Sequence, residues 1–182
     1  MDTLTRSMQG KASRANGEYF ERMVKSACSY YESLGIAVID KTPEPIKVLK
    51  AYNRKLGQFI CCFAKKAQPD FKGILADSTM ILFDAKHTDK DRIQRTVVST
   101  EQEKCFERYM EMGCMCFLVV SLGFEKFYRV PWVVFRDMKK IFGHAYMNET
   151  ELSTYQIKYS QGILRFLDGI ELKNGGSEND HQ

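Results

Sequence analysis

The stretch from Pro69 to Lys86, PDFKGILADSTMILFDAK, constrains the fold of this chain more than any other segment. Its apolar run, residues 80–83, is β-prone and bounded by turn residues, which predicts a buried strand. The strand delivers Asp84 and Lys86 two positions apart, so their side chains lie on one face. If Asp70 opens the neighbouring strand, two carboxylates and an ammonium group converge on one point.

Such a convergence of acidic and basic groups has a defined chemistry. Two acidic side chains suit a hard divalent cation such as Mg²⁺. A lysine beside the cation can orient or polarise a water molecule and stabilise negative charge on a phosphate. The same short pattern also occurs at ordinary solvated strand ends, so both interpretations stay open until the rest of the chain is considered.

The composition is that of an ordinary globular protein. With 182 residues, 44% of them hydrophobic and 27% charged, we expect one domain with a real core. No apolar stretch reaches membrane-spanning length, and the polar first residues lack a signal-peptide segment, so we expect a cytoplasmic location and no membrane contact. The six cysteines include no C-x-x-C pair, and we expect reduced core residues, not disulfides or zinc ligands.

Positive charge is concentrated in one part of the chain, although the formal net charge is only +4. Glu44 is the one acidic residue in this part. The basic residues are Lys41, Lys47, Lys50, Arg54, Lys55, Lys65 and Lys66. Local basic density is consistent with a polyanionic partner, and an ordinary solvated face is the alternative.

The pattern along the chain predicts a mixed β-sheet flanked by helices in one α/β domain. Residues 1–15 are expected to form a flexible basic arm, and Asn16 is expected to cap a helix ending near Ser33. Glu21 adjoins the apolar stripe of that helix and could reach inward to a metal, although the helix dipole alone favours an acid there. The further elements are strand 35–39, hairpin strands 46–52 and 58–64, a mobile loop at 87–95, helix 101–112, strands 115–121 and 125–130, helix 132–142, and a disordered tail at 173–182.

A series of different short motifs lies between residues 16 and 134. They are Asn16-Gly17 with Phe20-Glu21, Tyr30-Tyr31 followed by GIAVI at 35–39, then Lys41, Pro43 and Pro45, Asp70-Phe71-Lys72-Gly73, Phe83-Asp84-Ala85-Lys86-His87-Thr88, Gln102, and Gly113 to Val120. In order and spacing they resemble the RecU-type Holliday junction resolvases, a branch of the PD-(D/E)XK nuclease superfamily.

The resemblance implies a restriction-endonuclease-like fold and a homodimeric, Mg²⁺-dependent endonuclease, with Mn²⁺ as a substitute metal. Such an enzyme resolves four-way (Holliday) DNA junctions by paired symmetric nicks in DNA recombination and repair, with recombination proteins as further partners. Residues 16–172 would form the nuclease domain, and residues 46–66 a basic hairpin stalk that enters the junction centre. The DNA-binding residues would be Lys47, Lys50, Arg54, Lys55, Lys65 and Lys66.

The resemblance also assigns roles within the site. Asp70 and Asp84 would bind the metal, and Lys86 would position the attacking water and stabilise the charge on the phosphate. Glu21 would complete the metal site, and Gln102 would support it. Asp84 stands where the family usually has Glu. The alternatives are a nuclease of this superfamily acting on another DNA structure, or a non-catalytic DNA-binding relative.

Overall fold

The computed structural model describes residues 3–43, 46–63 and 68–171. The helices are α1 (Thr3–Ser33), α2 (Thr100–Glu111), α3 (Trp132–Arg136), α4 (Met138–Phe142) and α5 (Glu149–Leu152). The strands are β1 (Ala37–Lys41), β2 (Ile46–Asn53), β3 (Gln58–Phe63), β4 (Phe71–Leu75), β5 (Met80–Thr88), β6 (Arg92–Gln94), β7 (Met115–Leu122), β8 (Lys126–Pro131), β9 (Tyr146–Asn148), β10 (Gln156–Ile157), β11 (Tyr159–Ser160) and β12 (Ile163–Leu164). Short 3₁₀ turns occur at Arg95–Val97 and Ser153–Tyr155.

Six strands form the central sheet in the order β1-β4-β5-β7-β8-β10. The pairing of β5 with β7 is parallel, and the other pairings are antiparallel. Helix α2 lies in the connection that the parallel pair requires. The predicted mixed sheet flanked by helices is therefore confirmed.

Each face of the sheet packs against its own hydrophobic core. On one face, α1 contributes Phe20, Val24, Ala27 and Tyr31, all fully or almost fully buried, as its apolar stripe predicts. On the other face the core is built from α2, α3 and α4 together with β7 and β8. Because successive residues of β5 alternate between these faces, Phe83 belongs to the α1 side and Leu82 to the α2 side.

Helix α1 begins at Thr3, so the predicted helix cap at Asn16 is wrong. Residues 3–15, expected to form a flexible arm, continue the helix, and the side chains of residues 8–15 are exposed. The segment contains good helix formers and no proline, which allows the helix to extend past the end of its buried stripe. The Asn16 side chain instead donates a hydrogen bond to Asp89 Oδ2 at 3.2 Å.

The region following β8 also differs from the prediction of one helix over 132–142. It forms α3 and α4, separated at Asp137, whose carbonyl accepts from the backbone N–H groups of Lys140 and Ile141. The break lets Trp132 and Phe135 from α3 and Met138 from α4 all be fully buried in the same core. The predicted loop at 87–95 is shorter, because β5 continues to Thr88 and β6 pairs with β9.

Two of the six cysteines are not core residues, contrary to expectation. Cys61 and Cys62 are exposed, because β3 pairs with β2 in a two-stranded sheet that, among the described strands, is separate from the central one. The other four cysteines are buried, and none of the six forms a disulfide. The expected tail at 173–182 lies outside the described residues. Among the helices of the described ranges, none is both long and apolar enough to cross a membrane.

Candidate active site and nucleic-acid interface

Asp70 and Asp84 meet where β4 begins and β5 nears its end. The antiparallel register places Phe71 opposite Phe83. Asp70, which precedes Phe71, therefore lies next to Asp84, which follows Phe83. The backbone N–H of Asp70 donates to Asp84 Oδ1 at 3.1 Å, and the backbone N–H of Ala85 donates to Asp70 Oδ2 at 3.4 Å. Each carboxylate is thus held by the other's strand, as the sequence pattern predicts.

Both carboxylates are buried, which sets their electrostatics. Asp84 is 0% exposed and Asp70 is 5% exposed. Burial raises the pKa of Asp84 from an ordinary 3.8 to about 8, Lys86 opposes this rise, and the neighbouring Asp70 adds to it. Two carboxylates enclosed together favour a bound cation or a shared proton.

Lys86 lies beside Asp84 on the same face of β5. Its Nζ is 2.6 Å from Asp84 Oδ2, and its side chain is 20% exposed whereas that of Asp84 is fully enclosed. The ammonium group therefore connects the buried acid to the surface. This confirms that the two-residue spacing places both side chains on one face.

Gln102 joins helix α2 to this cluster. Its side-chain Nε2 donates to Asp84 Oδ2 at 2.9 Å, and its Oε1 accepts from the backbone N–H of Ser99 at 3.1 Å. Ser99 Oγ accepts from the Gln102 backbone N–H at 3.2 Å, which completes a capping box at the start of α2. The structure therefore brings together Asp70, Asp84, Lys86 and Gln102.

Glu21 is not in contact with these carboxylates in the structure. Its carboxylate forms an ion pair with Lys41 at the end of β1. Among the described residues, no group of three His, Cys, Asp or Glu side chains is arranged to hold a metal ion. The role of Glu21 as a third ligand stays a prediction, and it requires Glu21 to leave Lys41.

A divalent metal fits the donor set formed by Asp70 and Asp84. Both offer hard carboxylate oxygens, and their enclosure makes two adjacent negative charges costly, although Lys86 pairs with Asp84. Mg²⁺ commonly uses one or two protein carboxylates together with water and substrate phosphate oxygens. Two carboxylates are therefore sufficient protein ligands for such an ion.

The sequence did not single out a polar network on the opposite face of β5. His87, whose side chain is 3% exposed, contacts Ser121 Oγ through Nδ1 at 3.1 Å and Asp89 Oδ1 through Nε2 at 2.9 Å. Its ring stacks on Phe124 at a centroid distance of 3.9 Å. Because Ser121 is 34 residues from His87, only the parallel pairing of β5 with β7 could reveal the contact.

The predicted basic hairpin is formed by β2 and β3. Lys47 and Lys50 lie on β2, and Arg54 and Lys55 lie in the connecting turn, where Asn53 Oδ1 accepts from the backbone N–H groups of Lys55 and Leu56. All four basic residues are exposed. Lys65 and Lys66 fall outside the described residues.

The hairpin also exposes an unusual amount of apolar surface. Large apolar side chains exposed here are Ile46, Val48, Leu49, Tyr52, Leu56, Phe59 and Ile60. A two-stranded hairpin has no core of its own, so both of its faces are open to a partner. Exposed aromatic and basic residues together are the residue types that contact nucleic acid.

Comparison with protein families decides which group the chain falls in. The model of the RecU family, described as Recombination protein U, matches residues 15–172. The chain belongs to the RecU family. The match includes the whole site and the hairpin described above.

Two relatives in the RecU family are similar in sequence to part of this chain. The Holliday junction resolvase RecU of Streptococcus sanguinis is 29% identical over 126 residues, which cover 66% of this chain and 62% of the relative. The Holliday junction resolvase RecU of Streptococcus oralis is 28% identical over 114 residues, covering 60% of this chain and 57% of the relative. The chain thus spans less than two thirds of the length of each relative.

A comparison of structures finds Hjc from Archaeoglobus fulgidus, a Holliday junction resolvase from an archaeal hyperthermophile. The two are 11% identical, with a TM-score of 0.49, and the match covers 76% of this chain and 93% of that chain.

Proposed function

We propose that this chain is a metal-dependent endonuclease that resolves four-way DNA junctions by paired symmetric nicks. The observation that carries the proposal is the cluster of Asp70, Asp84 and Lys86, with Gln102 fixing the orientation of Asp84. Membership of the RecU family supports it. The relatives named as Holliday junction resolvases support the choice of substrate.

In this mechanism each residue has a separate task. Lys86 donates hydrogen bonds from its partly exposed ammonium group, which positions the attacking water and stabilises the negative charge that develops on the phosphate. Asp84 holds Lys86 in place, and Gln102 prevents the Asp84 carboxylate from rotating. The enclosed position of both acids keeps bulk water away from them.

Asp70 and Asp84 would hold the metal, which we propose is Mg²⁺ with Mn²⁺ as a substitute. When bound, the ion neutralises the two acids and polarises the phosphate. Glu21 adds a third carboxylate if its ion pair with Lys41 opens. The remaining ligands would come from water and DNA.

The hairpin supplies the contact with branched DNA in this proposal. Lys47, Lys50, Arg54 and Lys55 offer exposed positive charge for the phosphate backbone, and the exposed apolar side chains between them suit the bases at an open junction centre. Lys65 and Lys66 are proposed to extend this contact.

Paired nicks in opposing strands require two active sites with a twofold relationship. The described residues of one chain contain a single cluster of this type, so we propose a homodimer. Work on DNA junctions in recombination and repair, alongside other recombination proteins, agrees with a cytoplasmic location.

The deciding experiment compares cleavage of a synthetic four-way junction with cleavage of a linear duplex that has the same arm sequences. Each substrate is incubated with and without Mg²⁺, with wild type, Asp84→Asn and Asp91→Asn. Asp91 is the matched control, because its side chain is 89% exposed on the loop after β5. We expect paired nicks in the junction only, dependent on Mg²⁺, lost in Asp84→Asn and kept in Asp91→Asn.

Other outcomes have defined meanings. Equal cleavage of junction and duplex would show a nuclease of the same superfamily with a different DNA target. Junction binding without cleavage in Mg²⁺ or Mn²⁺ would show a non-catalytic DNA-binding relative. Normal cleavage by Asp84→Asn would show that the proposed active site is wrong.

A further inference from the structure

A cavity of about 360 Å³ opens between β8, β10 and the segment at 165–169. Arg129, one of its lining residues, is paired with Val119 on β7, and Val119 is paired with Ala85 on β5. Directly paired residues share a face, and both Val119 and Ala85 pack in the α1-side core. The cavity is therefore on the side of the sheet away from Asp84, and it is separate from the candidate active site.

Arg129 brings a half-buried guanidinium group to this cavity. Its Nη1 donates to the backbone carbonyls of Phe166 at 2.9 Å and Asp168 at 3.3 Å. No ion pair with Arg129 occurs within 4.0 Å among the residues that the structure describes. The Asp168 carboxylate accepts instead from the hydroxyl of Tyr31 at 3.0 Å, so it does not neutralise the guanidinium by direct contact.

Two further basic residues, Lys158 and Arg165, line the same cavity on segments joined by a backbone hydrogen bond. The backbone N–H of Arg165 donates to the carbonyl of Lys158 at 2.8 Å, which joins their two segments. The Arg165 guanidinium lies 4.4 Å from the ring centroid of Tyr30, and its Nε donates to Ser160 Oγ at 3.3 Å. Arg165 is thus fixed before any ligand arrives, which reduces the entropy lost on binding.

The charge of the lining is unbalanced. Arg129, Lys158 and Arg165 face one carboxylate, that of Asp168, while Thr154 and Gln156 add hydroxyl and amide donors. Burial lowers the pKa of Arg129, and the nearby Tyr31 and Asp168 oppose this change. The volume lies in the range of small-molecule sites.

We propose that this cavity binds a phosphate group. Guanidinium and ammonium groups form charge-assisted hydrogen bonds with phosphate oxygens, and a fixed arginine matches two oxygens at once. The phosphate can belong to a small free ligand or to the backbone of a DNA arm that extends past the edge of the sheet. The chemistry of recognition is the same for both sources.

The test measures binding of inorganic phosphate by isothermal titration calorimetry at constant ionic strength, with chloride as the reference anion. The double variant Lys158→Ala/Arg165→Ala is compared with Lys139→Ala/Lys140→Ala, which removes the same charge from α4. We expect wild type and the α4 variant to bind phosphate equally, and the cavity variant to bind at least about tenfold more weakly. If the double variant does not fold, Lys158→Ala alone removes one exposed cation and must weaken binding in the same direction.

A duplex DNA added as competitor distinguishes the two sources. If wild type releases bound phosphate when it binds the duplex, the cavity takes the DNA backbone. If phosphate binding is unchanged when the duplex is present, the cavity takes a free ligand. The proposal is overturned if wild type does not bind phosphate at about 10 mM, or if the cavity variant binds it as well as wild type. Junction cleavage is measured separately, so failure of this site and failure of the proposed nuclease function remain distinguishable.

Discussion

The side-chain amide of Gln102 donates to Asp84 Oδ2 at 2.9 Å while its oxygen accepts from the backbone of Ser99 at 3.1 Å. One amide therefore caps the start of α2 and fixes a buried carboxylate of β5. Because both bonds use the same planar group, the start of the helix sets the orientation of the acid. Under the proposed function, stability and catalysis are thus connected at this residue.

Replacing Gln102 by Ala should reduce both properties. The change removes the bond to Asp84 and one half of the capping box, so we expect the free energy of unfolding to fall by about 1–3 kcal/mol. Junction cleavage should slow by about 10–100-fold, as when an outer partner of a metal ligand is lost. Urea unfolding and single-turnover cleavage measure the two effects.

Ser99→Ala is the control for that variant. It removes the hydroxyl cap of α2 but leaves the Gln102 bond to Asp84 available. We expect a stability loss of about 1 kcal/mol with cleavage unchanged. If Ser99→Ala slowed cleavage as much as Gln102→Ala, the bond to Asp84 would not be the cause.

Removal of the divalent metal should lower the thermal stability of wild type. Binding to the native state alone stabilises it by about 2.7 kcal/mol when the free metal is at 100 times its Kd. We expect Mg²⁺ to raise the Tm of wild type and of Asp91→Asn, but not that of Asp70→Asn or Asp84→Asn. Differential scanning fluorimetry with EDTA and Mg²⁺ measures the shift.

The same metal titration applied to Glu21→Gln tests whether Glu21 is a third metal ligand. If Mg²⁺ raises the Tm of Glu21→Gln as much as that of wild type, Glu21 is only the partner of Lys41. If Mg²⁺ no longer raises the Tm of this variant, Glu21 is a metal ligand. A Mg²⁺ shift retained by both Asp70→Asn and Asp84→Asn would place the metal elsewhere.

Gly73 should be essential for the packing of β1 against β4. A Cβ at this position would lie 2.9 Å from Ile39 Cα and would also collide with the carbonyl of Val38. We expect Gly73→Ala to destabilise the protein by about 1–3 kcal/mol in urea unfolding. Gly10→Ala is the matched control, since nothing lies within 4 Å of its added Cβ, and in the exposed helix it should stabilise by about 1 kcal/mol. Equal stability of the two variants would contradict the close approach.

The hairpin lysines should contribute to DNA affinity through phosphate contacts. We expect Lys47→Ala/Lys50→Ala to weaken junction binding and to reduce the slope of log K against log salt by up to about 2. Lys139→Ala/Lys140→Ala changes the charge equally and should have a smaller effect. Fluorescence anisotropy at several salt concentrations measures the affinity of each variant for the junction and its salt dependence. Identical slopes for the two variants would show that the hairpin lysines do not contact DNA.

Local patterns predicted the parts of the site that depend on neighbours in sequence. The two-residue period of a strand gave the shared face of Asp84 and Lys86. A hydroxyl cap before the helix predicted at 101–112 fits Ser99 or Thr100 equally well, and the structure places it at Ser99. The contact of Asp70 with Asp84 needed one further assumption, that the two strands are adjacent, and the structure confirms it.

Contacts between distant elements could not be predicted in this way. Glu21 pairs with Lys41 because α1 crosses the end of β1, and nothing in the sequence around Glu21 specifies that crossing. The position of Gln102 against Asp84 came from the family resemblance, since the hydrogen bond joins residues 18 positions apart on different elements. The exposure of Cys61 depends on the hairpin leaving the sheet, which its apolar sequence conceals.

The backbone N–H of Thr42 donates to the carbonyl of Asp70 at 2.8 Å, so the chain leaves the sheet for the hairpin beside the residue at which it re-enters. Both attachment points are fixed by the ladder between β1 and β4. We therefore expect β2 and β3 to tolerate changes in length and sequence without shifting Asp70 and Asp84. Under the proposed function, we expect the hairpin to be an exchangeable part, through which a lineage acquires a new DNA target while keeping one cleavage chemistry.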